Sequence, residues 1–169
     1  MKSRSLAIKE LSIYTDGGCS GNPGPGGWAY VIVETRCTAR GVAGEETGVP
    51  AVIAEKWGAV KDTTNNRMEV YAAIAALEGL LELDLYAKQI SLYTDSQYVC
   101  YGMSRWIQMW KKKGWRNSDR KPVKNRELWE RLDKLAADFP ITWKWVKGHA
   151  GNAFNERCDR MTHRAIASL

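Results

Sequence analysis

The tripeptide Tyr-Thr-Asp occurs twice in this chain, as Tyr14-Thr15-Asp16 and as Tyr93-Thr94-Asp95. Each copy closes a short alternating apolar run and precedes a turn or helix signal, so each delivers an aspartate to the end of a strand. If the two strands are neighbours in one sheet, the carboxylates converge. Converging carboxylates with no partner cation nearby in the sequence suit a hard metal ion such as magnesium, which takes oxygen ligands.

Two further acids join them, and all four have ordinary structural roles to be weighed. Asp16-Gly17 is a common turn dipeptide, and Asp95-Ser96 lies where the next helix needs an N-cap. Glu69 stands three residues after Asn66, close to a capping-box arrangement, and Asp159 can pair with His163 one helical turn on. Together, however, they occupy two strand ends and the early parts of two helices, from which α/β sheets build sites. Four carboxylates packed closely cannot all stay ionised without cations. A two-metal centre fits such a set, activating a water and stabilising the departing oxygen of a phosphodiester.

The charge distribution supplies the phosphates. Net charge is +6, but residues 105–126 hold nine Lys or Arg against the single acid Asp119, a local +8 that leaves the rest at −2. A basic stripe of this kind points to a polyanion. The cysteines Cys19, Cys37, Cys100 and Cys158 form no CxxC pair, so they read as reduced thiols rather than a zinc site or disulfide framework. No apolar run reaches membrane-span or signal-peptide length. At 169 residues and 44% apolar composition, one domain over 1–169 in a soluble cytoplasmic protein is expected.

The elements that position these residues follow from the pattern. Ala7 to Tyr14, Trp28 to Val33 and Ala51 to Val60 read as three strands. Gly17 to Gly27 is so rich in Gly and Pro that it reads as irregular, open to close approach by a ligand. Thr35 to Pro50 reads as a long, mobile surface excursion. Arg67 to Leu83 has helix-forming composition behind the capping side chains of Thr63 to Asn66. Ile90 to Thr94 reads as a buried strand, Ser96 to Met103 and Trp106 to Lys112 as short helices split near Ser104, and Asn125 to Ala137 as a helix. A strand over Ile141 to Val146 and a helix over Ala153 to Ala167 close the chain. Hairpin strands followed by interleaved strands and helices imply a mixed α/β sheet covered by helices.

Long ordered motifs carry a family resemblance. Asp16-Gly17-Gly18-Cys19-Ser20-Gly21-Asn22-Pro23-Gly24-Pro25-Gly26-Gly27, Thr63-Thr64-Asn65-Asn66-Arg67-Met68-Glu69, Thr94-Asp95-Ser96-Gln97-Tyr98-Val99, Trp145-Val146-Lys147-Gly148-His149-Ala150-Gly151 and Asn155-Glu156-Arg157-Cys158-Asp159 resemble type 1 ribonuclease H of the bacterial kind. The resemblance implies a five-stranded mixed sheet, three antiparallel strands followed by two parallel ones, flanked by helices. It implies an endonuclease that cuts the RNA strand of an RNA/DNA hybrid by a two-metal-ion mechanism, leaving 3′-hydroxyl and 5′-phosphate ends, with a place in removing RNA primers and R-loops. Asp16, Glu69, Asp95 and Asp159 match the metal-binding carboxylates, for two Mg2+ ions with Mn2+ as a substitute. His149 matches a loop histidine that handles protons or product release, and imidazole chemistry suits either role. Cys19, Asn22, Asn65 and Gln97 match contacts to the RNA strand and its 2′-hydroxyls. Thr64, Asn66, Asn125, Trp106 and Trp129 match residues holding the DNA strand, and residues 104–125, with Lys111, Lys112 and Lys113, resemble a basic protrusion that grips the hybrid. A monomer suffices.

Core packing is the expectation for Trp143 and Trp145. Trp110 and Trp115, among Lys111, Lys112, Lys113 and Arg116, divide evenly between core packing and nucleic-acid contact. Three departures stand out: Asp62 where relatives often carry a base near a DNA phosphate, with Lys61 beside it; the long Thr35 to Pro50 connection; and the stop at Leu169. Among competing readings, DNA-cutting integrases, transposases and structure-specific nucleases use similar carboxylates but lack the hybrid-contact motifs. Sugar-kinase-like phosphotransferases need two domains, and the intact acid set argues against a non-catalytic hybrid-binding module.

Overall fold

The computed structural model describes residues 8–37 and 48–169, with backbone alone at Lys9, Arg36 and Cys37. Five strands form one sheet: β1 (Ile8–Cys19), β2 (Gly24–Cys37), β3 (Gly48–Thr63), β4 (Ala87–Thr94) and β5 (Ile141–Trp145). Their order is β3-β2-β1-β4-β5. β1, β2 and β3 pair antiparallel, whereas β4 lies parallel to both β1 and β5. The parallel joins need crossovers, and helices supply them: α1 (Asn65–Glu82) between β3 and β4, and α2 (Gln97–Tyr101), α3 (Ile107–Lys112) and α4 (Arg126–Ala136) between β4 and β5. This is the ribonuclease H-like mixed sheet that the resemblance implies.

α1 begins where Thr64 accepts a hydrogen bond from the Arg67 N–H at 3.4 Å, satisfying a donor that the helix leaves orphaned. It is buried on most of its circumference, from Met68 through Leu80, as befits a helix enclosed between sheet and neighbours. Its Ile74, Leu77 and Leu80 join Leu11, Ile13, Ile32, Ile90 and Leu92 of the sheet and Leu128, Trp129 and Leu132 of α4 (Arg126–Ala136) in the larger core cluster. On the other face, α5 (Ala153–Ala167) sets Cys158 and Met161 against Ala29, Val31 and Val33 of β2.

Two local expectations are corrected. The glycine-rich segment is not irregular throughout: Gly17 to Cys19 belong to β1 and Gly24 to Gly27 to β2, leaving residues 20–23 as the turn. Glycine is needed there because helices press on both faces. A Cβ on Gly17 would lie 2.3 Å from the Met68 carbonyl carbon in α1, and one on Gly27 would lie 2.8 Å from the Thr162 carbonyl oxygen in α5. The Thr35 to Pro50 excursion is also shorter than expected, since Thr35 pairs with Pro50 and Cys37 with Gly48; the rest of that expectation, at 38–47, lies outside the described residues. The split near Ser104 takes the form of a π-helical turn (Gly102–Trp106) joining α2 (Gln97–Tyr101) to α3 (Ile107–Lys112). There the Ser104 hydroxyl donates to the Cys100 carbonyl at 2.6 Å.

Candidate active site

Sheet register builds the site. Tyr14 is paired with Tyr93 and Thr15 with Thr94 in parallel register, and the two tyrosine rings stack with centroids 4.9 Å apart. The repeated tripeptide is therefore one motif laid beside its copy, and Asp16 and Asp95 follow where the parallel pairing of β1 and β4 ends, Asp16 within β1 and Asp95 just past β4. That is the edge at which open α/β sheets bind ligands.

Glu69 reaches the same point from α1. Thr64 caps that helix, so the expected capping arrangement of Asn66 with Glu69 is not formed, and Glu69 instead turns inward, 7% exposed. The bare backbone of Gly17 lets the helix close on β1. Carboxylate oxygens of Asp16, Glu69 and Asp95 come within 4.8 Å of one another. Asp159 lines the same groove, about 270 Å³ in volume, beside Cys19, Asn65, His149 and Thr162. It stands outside the trio, held in the pairing expected for it: His163 Nδ1 lies 3.4 Å from Asp159 Oδ1 and 2.8 Å from the Asp159 carbonyl oxygen.

The cluster is electrostatically uncomfortable by itself. Burial pushes the Asp16 carboxyl up to about 6; the Thr162 hydroxyl opposes this, and the charges of Asp95 and Asp159 add to it. Glu69 is raised well above its ordinary value by burial and then by Asp16 and Asp95. Burial also raises Asp95, against the opposing influence of Asn155. Glu69 Oε2 is buried with no hydrogen-bond partner, an expensive condition for a carboxylate oxygen. An all-oxygen donor set, mutual repulsion and an orphaned buried oxygen together fit a hard divalent cation. Asp16, Glu69 and Asp95 are the residues that would hold it, with Asp159 on the adjoining wall.

His149 lies exposed in the β5–α5 loop on the groove wall. Its φ of 53° is left-handed, a conformation that costs a non-glycine residue of order 1–3 kcal/mol and tends to mark functional loops. Cys19 ends β1, and Asn22 Oδ1 accepts from the Asn65 N–H at 3.3 Å, tying the β1–β2 turn to the start of α1. Asn65, Asn66 and Gln97 are exposed, and of the three Asn65 lines the groove. Asn125 is fixed by two bonds: its Oδ1 accepts from Arg67 Nη1 at 3.1 Å and its Nδ2 donates to the Tyr98 hydroxyl at 3.1 Å. Trp106 is partly exposed and shares a cavity of about 320 Å³ with Trp110, Lys113 and Arg116. Lys112 and Lys113 are exposed, while Lys111 is paired with Asp133 at 2.8 Å.

Two tryptophans differ from expectation. Trp129 is 0% exposed, so it cannot touch a nucleic acid; its indole N–H donates to the Tyr98 hydroxyl at 3.1 Å, making it a buried support beneath Asn125. Its place on the apolar stripe of α4, with Leu128 and Leu132, is the reason. Trp145, expected in the core, is 44% exposed, and its Nε1–H donates to the Asp95 carbonyl at 3.0 Å. Trp143, Trp110 and Trp115 are partly buried against the core.

Sequence reasoning missed Trp145 and Thr162, which donate to the Asp95 and Asp16 carbonyls, and Asn155, which opposes the rise of the Asp95 carboxyl while its own Nδ2 is buried without a hydrogen-bond partner. The last two had a legible signal. Asn155 and Thr162 flank Asp159 at helical spacing on a face otherwise formed by Cys158, Met161 and Ala165, where a polar side chain calls for a partner.

Comparison with known proteins agrees with this geometry. The family model for ribonuclease H matches residues 8–167. Ribonuclease H of Treponema denticola is 48% identical over 169 residues, covering 94% of this chain and 98% of the relative. That of Cupriavidus metallidurans is 44% identical over 162 residues, covering 96% of this chain and 99% of the relative. Among solved structures, the crystal structure of a type 1 ribonuclease H with a type 2 active-site motif superposes with a TM-score of 0.80 at 28% identity, covering 96% of this chain and 74% of that one. The chain belongs to the ribonuclease H family, of the bacterial type 1 kind, and is an endoribonuclease.

Proposed function

We propose that the chain hydrolyses the RNA strand of RNA/DNA hybrids within the strand, leaving 3′-hydroxyl and 5′-phosphate ends, with Asp16, Glu69, Asp95 and Asp159 holding two Mg2+ ions. The observation that carries this reading is the convergence of Asp16 and Asp95, from the adjacent strands β1 and β4, with Glu69 of α1, whose Oε2 is buried and unpartnered. Divalent cations held there would supply a water nucleophile and neutralise the departing oxygen. The carboxylates of Asp16, Glu69 and Asp95 would fix those cations in place. His149 moves a proton at the open mouth of the groove, where its exposure and loop position suit product release.

Substrate choice follows from what surrounds the acids. Cys19, Asn22, Asn65 and Gln97 contact the RNA strand, where the 2′-hydroxyl separates RNA from DNA. Thr64, Asn66, Asn125 and Trp106 hold the DNA strand, and Lys112 and Lys113 bind phosphates. Lys111, already paired with Asp133, contributes less. The enzyme acts as a monomer in the cytoplasm, on RNA primers and R-loops; the free thiols of Cys19, Cys100 and Cys158 suit a reducing compartment. No described helix is long and apolar enough to cross a membrane.

The test is cleavage of an end-labelled hybrid with and without Mg2+, and with Mn2+, beside the same RNA single-stranded, duplex RNA and duplex DNA. Metal-dependent internal cuts confined to the hybrid RNA support the reading. Cuts in duplex DNA, or none with any metal, refute it.

A further inference from the structure

The groove does not stop at Asp159. A second concavity of about 530 Å³, lined by His149, Asp159, Arg160, His163 and Arg164, continues from it along the exposed side of α5. It shares His149, Asp159 and His163 with the carboxylate groove. Arg160 and Arg164 are exposed and sit one helical turn apart, where like charges repel. Other basic side chains of the helix have partners. Arg157 Nε bonds Glu55 Oε2 at 2.7 Å and His163 is held by Asp159. Among the described residues, Arg160 and Arg164 have none.

Shared and adjacent lining residues link the concavities. The basic segment of 105–126 adjoins a cavity shared by Asn66, Tyr98, Lys124 and Asn125. Asn65 then leads into the carboxylate groove, and that groove opens toward Arg160 and Arg164. Positive charge therefore stands at both ends, with the acids between. The acids must face the strand that is cut, and the basic segment is linked to them through Asn65 and Asn66. A cation pair adjoining the acids on the other side meets a backbone continuing from the cleaved strand.

We propose that Arg160 and Arg164 form a phosphate-binding subsite for the RNA strand, a short distance along the backbone from the scissile bond. This rests on the hybrid-cleaving reading above. Two guanidiniums offer planar forks suited to phosphate oxygens. The pair raises affinity and fixes the register of cutting without taking part in bond breaking.

The experiment compares the parent with Arg160→Gln/Arg164→Gln, with Arg160→Lys/Arg164→Lys, and with Lys88→Gln/Lys134→Gln, which removes the same charge elsewhere on the surface. Steady-state cleavage and hybrid affinity in chelator are measured from low to moderate salt. The glutamine pair is expected to raise KM several-fold at nearly constant kcat and to lower the salt slope of binding by about one per arginine. The lysine pair restores the slope, and the distant control leaves it unchanged. Hybrids with either the RNA or the DNA strand shortened stepwise at either end are expected to show one step in parent affinity, on shortening of the RNA strand, that the glutamine pair lacks. An unchanged slope and KM, or a step that follows shortening of the DNA strand instead, overturns the subsite while hybrid cleavage by the parent stands. A parent that does not cut hybrids overturns both.

Discussion

Replacing Asp16 by Asn is expected to stop cleavage and to stabilise the fold. Asp16 is 6% exposed, and its surroundings move the carboxyl from its ordinary 3.8 to about 6. An acid whose folded-state pKa lies above its unfolded value binds more protons when folded, so stability falls as pH rises between the two values. The loss begins near pH 4 and is complete above pH 6. At neutral pH and without divalent cations it amounts to about 3 kcal/mol. Asn keeps the shape of the side chain and removes the charge, so the variant regains that energy and relieves Glu69, which Asp16 repels. For a chain of this length the gain corresponds to a rise in Tm of about 6–12 °C. The assay is urea and thermal unfolding of both proteins in chelator at pH 4 and pH 7.5. The stability gap is expected to be wide at pH 7.5 and nearly closed at pH 4. Added Mg2+ then raises the Tm of the parent more than that of the variant, because binding to the folded state alone is stabilising. A variant no more stable than the parent at pH 7.5, or a gap independent of pH, refutes the reasoning.

Asp95→Asn is expected to abolish cleavage while hybrid affinity survives; activity within a few-fold of the parent removes Asp95 from the centre. Gly17→Ala forces a methyl group into the Met68–Glu69 backbone and is expected to cost about 3 kcal/mol or more and to lower kcat by displacing Glu69, read by urea unfolding and by cleavage at saturating hybrid. Trp145→Phe loses the bond to the Asp95 carbonyl and about 1 kcal/mol of stability, with kcat falling more than KM changes; equal kcat in the two proteins shows that the indole does not position Asp95. Lys112→Gln/Lys113→Gln is expected to weaken hybrid binding and flatten its salt dependence, whereas Lys111→Gln, which breaks a pair with Asp133, does so less. A salt-slope measurement that finds the three lysines equal sets aside the role given to that ion pair.

Local signals determined the elements because they are written in adjacent residues. The helix over Ala153–Ala167 falls where periodicity puts it, and the alanine-rich run of α1 forms behind Thr64. The repeated Tyr-Thr-Asp announced two matched strand ends, and parallel register turned that likeness into contact. Tertiary structure decided what depends on a partner distant in sequence. Gly17 to Cys19 and Gly24 to Gly27 lie in strands, and Gly17 and Gly27 let α1 and α5 press against the sheet there because they have no side chain to resist, which composition read alone scores as a loop. Trp129 and Trp145 look alike in sequence, yet one is enclosed by Tyr98, Gly102 and Trp110 while the other lies at the carboxyl end of an edge strand, bonded to the backbone of Asp95. Glu69 has the local spacing of a capping residue and becomes a buried carboxylate only because Gly17 lets its helix close on Asp16. Residue type fixed which groups were available for chemistry; burial and packing fixed which of them meet, since the energy of bringing charges together depends on the surroundings that only the folded chain creates.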